Sequence, residues 1–132
     1  MKIYLCGRYS RREQLCSVCE ELQRLGHVVT SRWLDTEWAS RPDQSSAAPP
    51  EYREKYAVID MDDVRAADAI VCFTEAPGDG SRGGRHVEYG MAIAWNKRLI
   101  IVGPLENLFY HLPNVECHAN QWDMVRALEA EG

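Results

Sequence analysis

Three stretches of this chain are apolar at almost every position: Ile3-Tyr4-Leu5-Cys6, Ala69-Ile70-Val71-Cys72-Phe73 and Leu99-Ile100-Ile101-Val102. A strand with one wet face alternates apolar and polar side chains, so strands that do not alternate have to be covered on both faces. The segments between them carry helical spacing. Leu15, Val18, Cys19 and Leu22 recur at helical intervals up to Gly26, with Ser10 and Glu13 in the pattern of a capping box. Residues 51–67 read as a second helix, and Val87, Gly90, Met91 and Ala94 as the inner stripe of a third that ends near Asn96-Lys97. Asn120 stands as the N-cap of a fourth, whose inner side holds Trp122, Val125 and Leu128. His27–Trp33 reads as a second strand and Val115–His118 as a short fifth. Strands alternating with helices in this way form a parallel sheet covered on both faces. Right-handed crossovers make it a small doubly wound, five-stranded α/β domain.

The 132 residues, 45% of them hydrophobic, suit one domain over residues 1–132 with one core. Residues 34–50 fall outside the pattern, with a Ser- and Pro-rich run from Ser40 to Pro50. A loop this long is a lid or disordered, so the segment is expected to be a mobile cover whose Trp38 closes over a ligand. A net charge of −5 argues against nucleic acid and anionic membrane as partners, though not against a small anion held by local arginines. Neither a signal peptide nor a membrane-length apolar run is visible. The five cysteines are an odd number, and Cys6, Cys16 and Cys72 lie in apolar patterns, so the expectation is a reduced, cytoplasmic protein. Cys16 and Cys19 form a CxxC inside a helical pattern, where core lining is favoured over a zinc or redox site.

Ligands of doubly wound sheets bind at the carboxyl ends of the strands. Four segments fall there: Gly7–Ser10, the residues after Trp33, the loop 74–84, and Gly103–Asn107. Gly7-Arg8-Tyr9-Ser10-Arg11-Arg12 suits a phosphate at a helix start, and equally a capped helix with solvated arginines. It lacks the glycines of a dinucleotide site, which discounts NAD. Gly83-Gly84-Arg85-His86-Val87-Glu88 lines a cleft with glycine and sets an acid in what reads as a helix's first turn. The dipole holds such a carboxylate ionised, ready to attack an electrophilic carbon or stabilise a cation. Acids also collect in first turns for dipole reasons alone. Asp60 and Asp63 share a face with Tyr56 and Ile59, and crowded acids raise one another's pKa, which serves a proton donor. Asp62 reads as solvated and Asp79 as a turn former. Tyr9, Trp33 and Trp38 offer faces for a planar base, whereas Trp95 and Trp122 read as core. His86 diverges from Glu88 on the helix, and His27, His111 and His118 show no metal spacing.

Lys2-Ile3-Tyr4-Leu5-Cys6-Gly7, the acid-rich helix running into Ala67-Asp68-Ala69-Ile70-Val71, and Gly84–Ala92 resemble, in that order, the nucleoside 2-deoxyribosyltransferase family. The likeness runs from residue 2 to about Gly103, more weakly through Glu106-Asn107. Its most specific part is Glu88-x-Gly90-x-Ala92 with Lys97 and an apolar strand behind it. The same superfamily contains 2′-deoxynucleoside 5′-phosphate N-hydrolases. The resemblance implies a flavodoxin- or Rossmann-like fold and cleavage of an N-glycosidic bond. The glutamate matching Glu88 attacks C1′ of the sugar, and a second base or water takes the sugar from the ester. Tyr4 is implied to orient Glu88, and Asp60 to handle the base. Asp79 approximates the family's loop acid, although the loop before Glu88 is longer here. The region of Asn107 is implied to reach a neighbouring subunit's site in a homo-oligomer, and no metal or organic cofactor is needed. The candidate binding residues are Gly7, Tyr9, Ser10, Arg11, Arg12, Trp33, Asp63, Asp79, Gly83, Gly84 and Asn107. The partners are a nucleoside or its 5′-monophosphate and a free nucleobase. Arg11 and Arg12 fit a monophosphate, whereas Tyr4 and Asp60 fit the transferases. Deoxyribosyl transfer is the reading adopted. A monophosphate N-glycosidase and a non-catalytic nucleotide-binding module are its alternatives.

Overall fold

The computed structural model describes residues 1–35, 49–78 and 83–132. Five parallel strands, β1 (Lys2–Cys6), β2 (Val28–Val29), β3 (Ala69–Phe73), β4 (Arg98–Val102) and β5 (Val115–His118), lie in the order β2-β1-β3-β4-β5. α1 (Arg12–Arg24) packs with α4 (Gln121–Glu131) on one face, and α2 (Pro50–Ala66) with α3 (Gly84–Ala94) on the other. This is the doubly wound sheet that the apolar runs predict. β3 is buried along its whole length, and so are all residues of β1 and β4 but the first. The chain leaves β1 for one edge and returns on its other side at β3, so the strand order switches between these two. A crevice opens at such a switch. Among the described residues, no helix is long and apolar enough to cross a membrane.

The second strand is much shorter than His27–Trp33. Only Val28 and Val29 pair with β1, opposite Lys2 and Ile3. Beyond them side chains take over the ladder. Leu5 N–H donates to Ser31 Oγ at 2.5 Å, and Trp33 Nε1 donates to the Leu5 carbonyl at 2.9 Å. Ser31 and Trp33 are both buried, and Arg32–Leu34 coils into a 3-10 turn. The β-rich pattern thus reflects burial and not strand geometry. Leu34, expected to open the loop, is buried in that turn; residues 36–48, with Trp38, lie outside the described residues.

Three helix details also differ from the pattern. Ser10 caps nothing: it is exposed in a 3-10 turn over Tyr9–Arg11, and Arg11 holds the N-cap position of α1 without a side-chain bond. On α3 the buried residues are Arg85, Tyr89 and Ala92, while Val87 is 64% exposed and Gly90 and Ala94 face outward. The buried stripe runs instead through Arg85, Tyr89 and Ala92, at i, i+4 and i+7. On α4, Met124, Val125 and Leu128 point inward as a stripe, which turns Trp122 outward at 57% exposure. Asn120 caps α4 as the sequence indicates, its side chain accepting from Asp123 N–H at 3.0 Å. Trp95 is half-buried, with the Arg65 guanidinium 4.7 Å above its ring.

Gly103 closes β4 with φ 114°, and a Cβ there would meet Thr74 Oγ1 at 2.7 Å. Gly26, ending α1 with φ 93°, has open space around it. Gly26→Ala should therefore cost only the left-handed strain, about 1 kcal/mol. Gly103→Ala adds a clash beside the site and should cost on the order of 3 kcal/mol, as read by chemical denaturation.

Candidate active site

Tyr4 projects from β1 toward the face covered by α2 and α3, where Asp60 of α2 and Glu88 of α3 stand close enough to act on it. The phenol is completely buried. Burial first, then the charges of Glu88 and Asp60, hold its pKa well above the ordinary 10.0. Its hydroxyl leans on Glu88 without reaching the geometry of a full hydrogen bond. It therefore stays protonated at neutral pH, as a donor aimed at a carboxylate. Glu88 and Asp60 are each half-buried.

Glu88 is not in the first turn of its helix. Gly83, at φ 87°, is the N-cap, and its carbonyl accepts from His86 N–H at 3.0 Å and Val87 N–H at 3.1 Å. The helix thus begins at Gly84, and Glu88 falls one turn in. The dipole effect is concentrated in the first turn, so it acts on Glu88 less than the sequence suggests.

The feature that pattern reading passed over is Arg85. Its guanidinium pairs with Glu106, from the segment after β4, and the two side chains are only 6% and 8% exposed. A second contact, Nη2 to Oε2, is 3.2 Å. Burial raises the Glu106 carboxyl, but the Arg85 bond and charge and the Glu75 N–H outweigh it and leave the pKa lowered. Burial likewise lowers Arg85, and Glu106 reverses that. Both groups are charged. Glu106 Oε1 also accepts Glu75 N–H at 3.1 Å. Arg11 Nη1 in turn reaches the Thr74 carbonyl at 2.9 Å and Glu75 Oε1 at 3.3 Å. One polar network thus joins the segments after β1, β3 and β4. The only sequence signal was an Arg in the first turn of the helix and an acid beyond Gly103-Pro104.

The other predicted residues scatter. Gly7 sits where a Cβ would press on Leu15 at 3.3 Å and Phe73 at 3.4 Å, so its role is close packing at the end of β1. Arg12 Nη2 donates to the Leu34 carbonyl at 2.8 Å. Arg11 and Arg12 thus both hold segments of the protein together. Trp33 is 6% exposed, its ring 6.5 Å from Tyr9, so it backs Tyr9 and offers little face of its own. Asp63 is buried and committed to Arg32, with the backbone N–H at 2.9 Å and Nη2 at 2.8 Å. It fixes the turn after β2. Gly83 and Gly84 form the start of α3. Asn107 accepts Phe109 N–H at 2.8 Å and lies 3.5 Å from His86 Nδ1. Asp79 lies outside the described residues.

A separate cleft of about 410 Å³ opens at the ends of β3 and β4, between Arg11, Gln14, Gly103, Asn120 and Trp122. Its polar groups bond one another: Arg11 Nε to Gln14 at 3.0 Å, and Gln14 to Gln121 at 2.7 Å. All five cysteines are free thiols, and no cluster among the described residues could hold a metal ion.

No protein-family model and no curated protein matches the chain. Among solved structures, it is similar to a 2-deoxyribosyltransferase of Bacillus psychrosaccharolyticus, with a TM-score of 0.69, 20% identity and coverage of 95% of this chain and 90% of that one. It is also similar to a Clostridium botulinum CMP N-glycosidase, with a TM-score of 0.62, 16% identity and coverage of 98% and 99%. The chain shares their fold. The likeness spans nearly the whole length of each at low sequence identity.

The buried phenol makes a measurable prediction. As pH rises through 10.0, the unfolded chain releases the Tyr4 proton while the folded chain retains it, so folding stability should fall. Tyr4→Phe should reduce that alkaline loss without removing it, because Tyr89, raised to about 12 by burial, responds the same way. Denaturant melts at pH 9 to 11 would check it.

Proposed function

We propose that this chain is an enzyme that cleaves the N-glycosidic bond of a 2′-deoxynucleoside and passes the sugar to another nucleobase. The observation that carries the reading is the meeting of Tyr4, Asp60 and Glu88, from three separate elements, on one face of the sheet. The fold shared with a 2-deoxyribosyltransferase and a CMP N-glycosidase supports it. A Glu88 oxygen forms a bond to C1′ as the C1′–N bond breaks, and the departing base takes the electron pair. Asp60 or water supplies the proton that the base needs to leave. A nitrogen of a second base then attacks C1′ and releases the carboxylate, giving net retention through two displacements. Tyr4, kept neutral by its surroundings, donates toward Glu88 and orients it. The chain supplies the nucleophile itself, so this chemistry calls for no metal or organic cofactor.

Arg11 and Arg12 weigh on the substrate. An unphosphorylated nucleoside needs neither, and both are engaged with the protein. That favours a nucleoside over its 5′-monophosphate. Hydrolysis of a monophosphate remains the second reading, supported by the CMP N-glycosidase neighbour, with Ser10 exposed at the end of β1. Assembly as a homo-oligomer, with the Asn107 region at a shared site, belongs to the same proposal. Val87, Leu108 and Phe109, 64%, 78% and 55% exposed, give α3 and the turn after Asn107 an apolar outer surface.

Chromatography of deoxyadenosine, deoxycytidine, dCMP and dGMP, each with and without excess adenine, separates the readings. New nucleosides that need added adenine identify a transferase, and free base from the monophosphates alone identifies the hydrolase. Glu88→Ala should lower base release or exchange by about 10³-fold or more while the fold persists. Absence of product from every substrate would leave a nucleotide-binding module.

A further inference from the structure

The structure assigns to the Arg85–Glu106 pair the task of positioning Glu88, an inference that rests on the function proposed above. Arg85 is the second residue of α3, and Glu88 lies one turn further on, along adjacent sides of the helix. Ahead of Glu88 in the helix Arg85 is the buried side chain, and just after it Tyr89 is held by its hydroxyl, which donates to the Phe109 carbonyl at 2.8 Å. Val87 and Gly90 face outward, and its other buried side chains, Tyr89 and Ala92, come later. Apolar contacts tolerate small slides, whereas a two-pronged guanidinium–carboxylate pair holds both distance and plane.

The pair is itself anchored on every side. Glu106 holds Glu75 N–H, Glu75 holds Arg11, and the Arg85 carbonyl accepts from Cys6 Sγ at 3.4 Å. Cys6 lies two residues beyond Tyr4 on the same face of β1, so the main chain of Arg85 meets the strand of Tyr4 while its side chain ties the helix of Glu88 to the segment after β4. Stability alone would not select this arrangement. Buried ion pairs are often replaceable by apolar groups without loss, and Arg85 Nε is buried with no hydrogen bond among the described residues. What the pair provides is direction.

The test compares wild type, Arg85→Lys and the double variant Arg85→Met with Glu106→Leu, which removes both charges and leaves none buried alone. Melting curves report folding, base-release kinetics report kcat and KM, and the carboxyl ¹³C shift of Glu88, assigned against Glu88→Gln, reports its surroundings without reference to turnover. The double variant should melt near wild type, lose about 100-fold in kcat with KM little changed, and move the Glu88 resonance. Arg85→Lys should recover part of the rate. A folded double variant with wild-type kcat and an unmoved resonance would overturn the inference. If the double variant does not fold, Glu106→Gln is read by the same criteria. If wild type itself releases no base, the proposed function fails, and the resonance alone then decides whether the pair places Glu88.

Discussion

The structure depends on burying β1, β3 and β4 on both faces. Water reaches these strands only at their ends, so every backbone group along them has to find a partner within the protein. A buried donor or acceptor left without one costs about 1–3 kcal/mol. That requirement explains the edge beside β1. β2 ends after Val29, and the Ser31 hydroxyl and the Trp33 indole take up the two Leu5 groups that a longer strand would have bonded. Asp63 then holds Arg32, which keeps this substitute edge in place.

The same requirement concentrates polar chemistry at the carboxyl ends. Where the strands stop, the chain turns through Thr74, Gly103 and Glu106. Thr74 Oγ1 bonds the Pro104 carbonyl at 2.6 Å, directly beside Gly103. Arg11, Glu75, Glu106 and Arg85 form a charged lattice inside this rim. Removing one member of such a buried pair strands the other, at about 3–5 kcal/mol.

The candidate site was partly legible in the residues. Glu88 stood out through its glycines, and Asp60 through its crowding with other acids. Tyr4 looked like any other apolar strand residue, and only the family resemblance gave it a role. The arginines after β1 were only half legible, because a guanidinium's charge is visible in a sequence while its partner is not. Both are spent on carbonyls and a carboxylate far along the chain. The rotation of α3 was misread for a related reason. Val87, Gly90, Met91 and Ala94 make a good apolar stripe, but the buried face runs through Arg85, Tyr89 and Ala92, whose partners Glu106 and Phe109 lie on other segments.

The amino-acid sequence alone determined the layered α/β architecture, the number and direction of the strands and the capped start of α4, because these follow from local periodicity and burial. The extent of β2, the outward turn of Trp122 and the internal use of Arg11, Arg12 and Asp63 were decided only in the tertiary structure. Each depends on a partner at least 20 residues away or on another element's surface, and nothing local in the chain encodes which acid an arginine will meet.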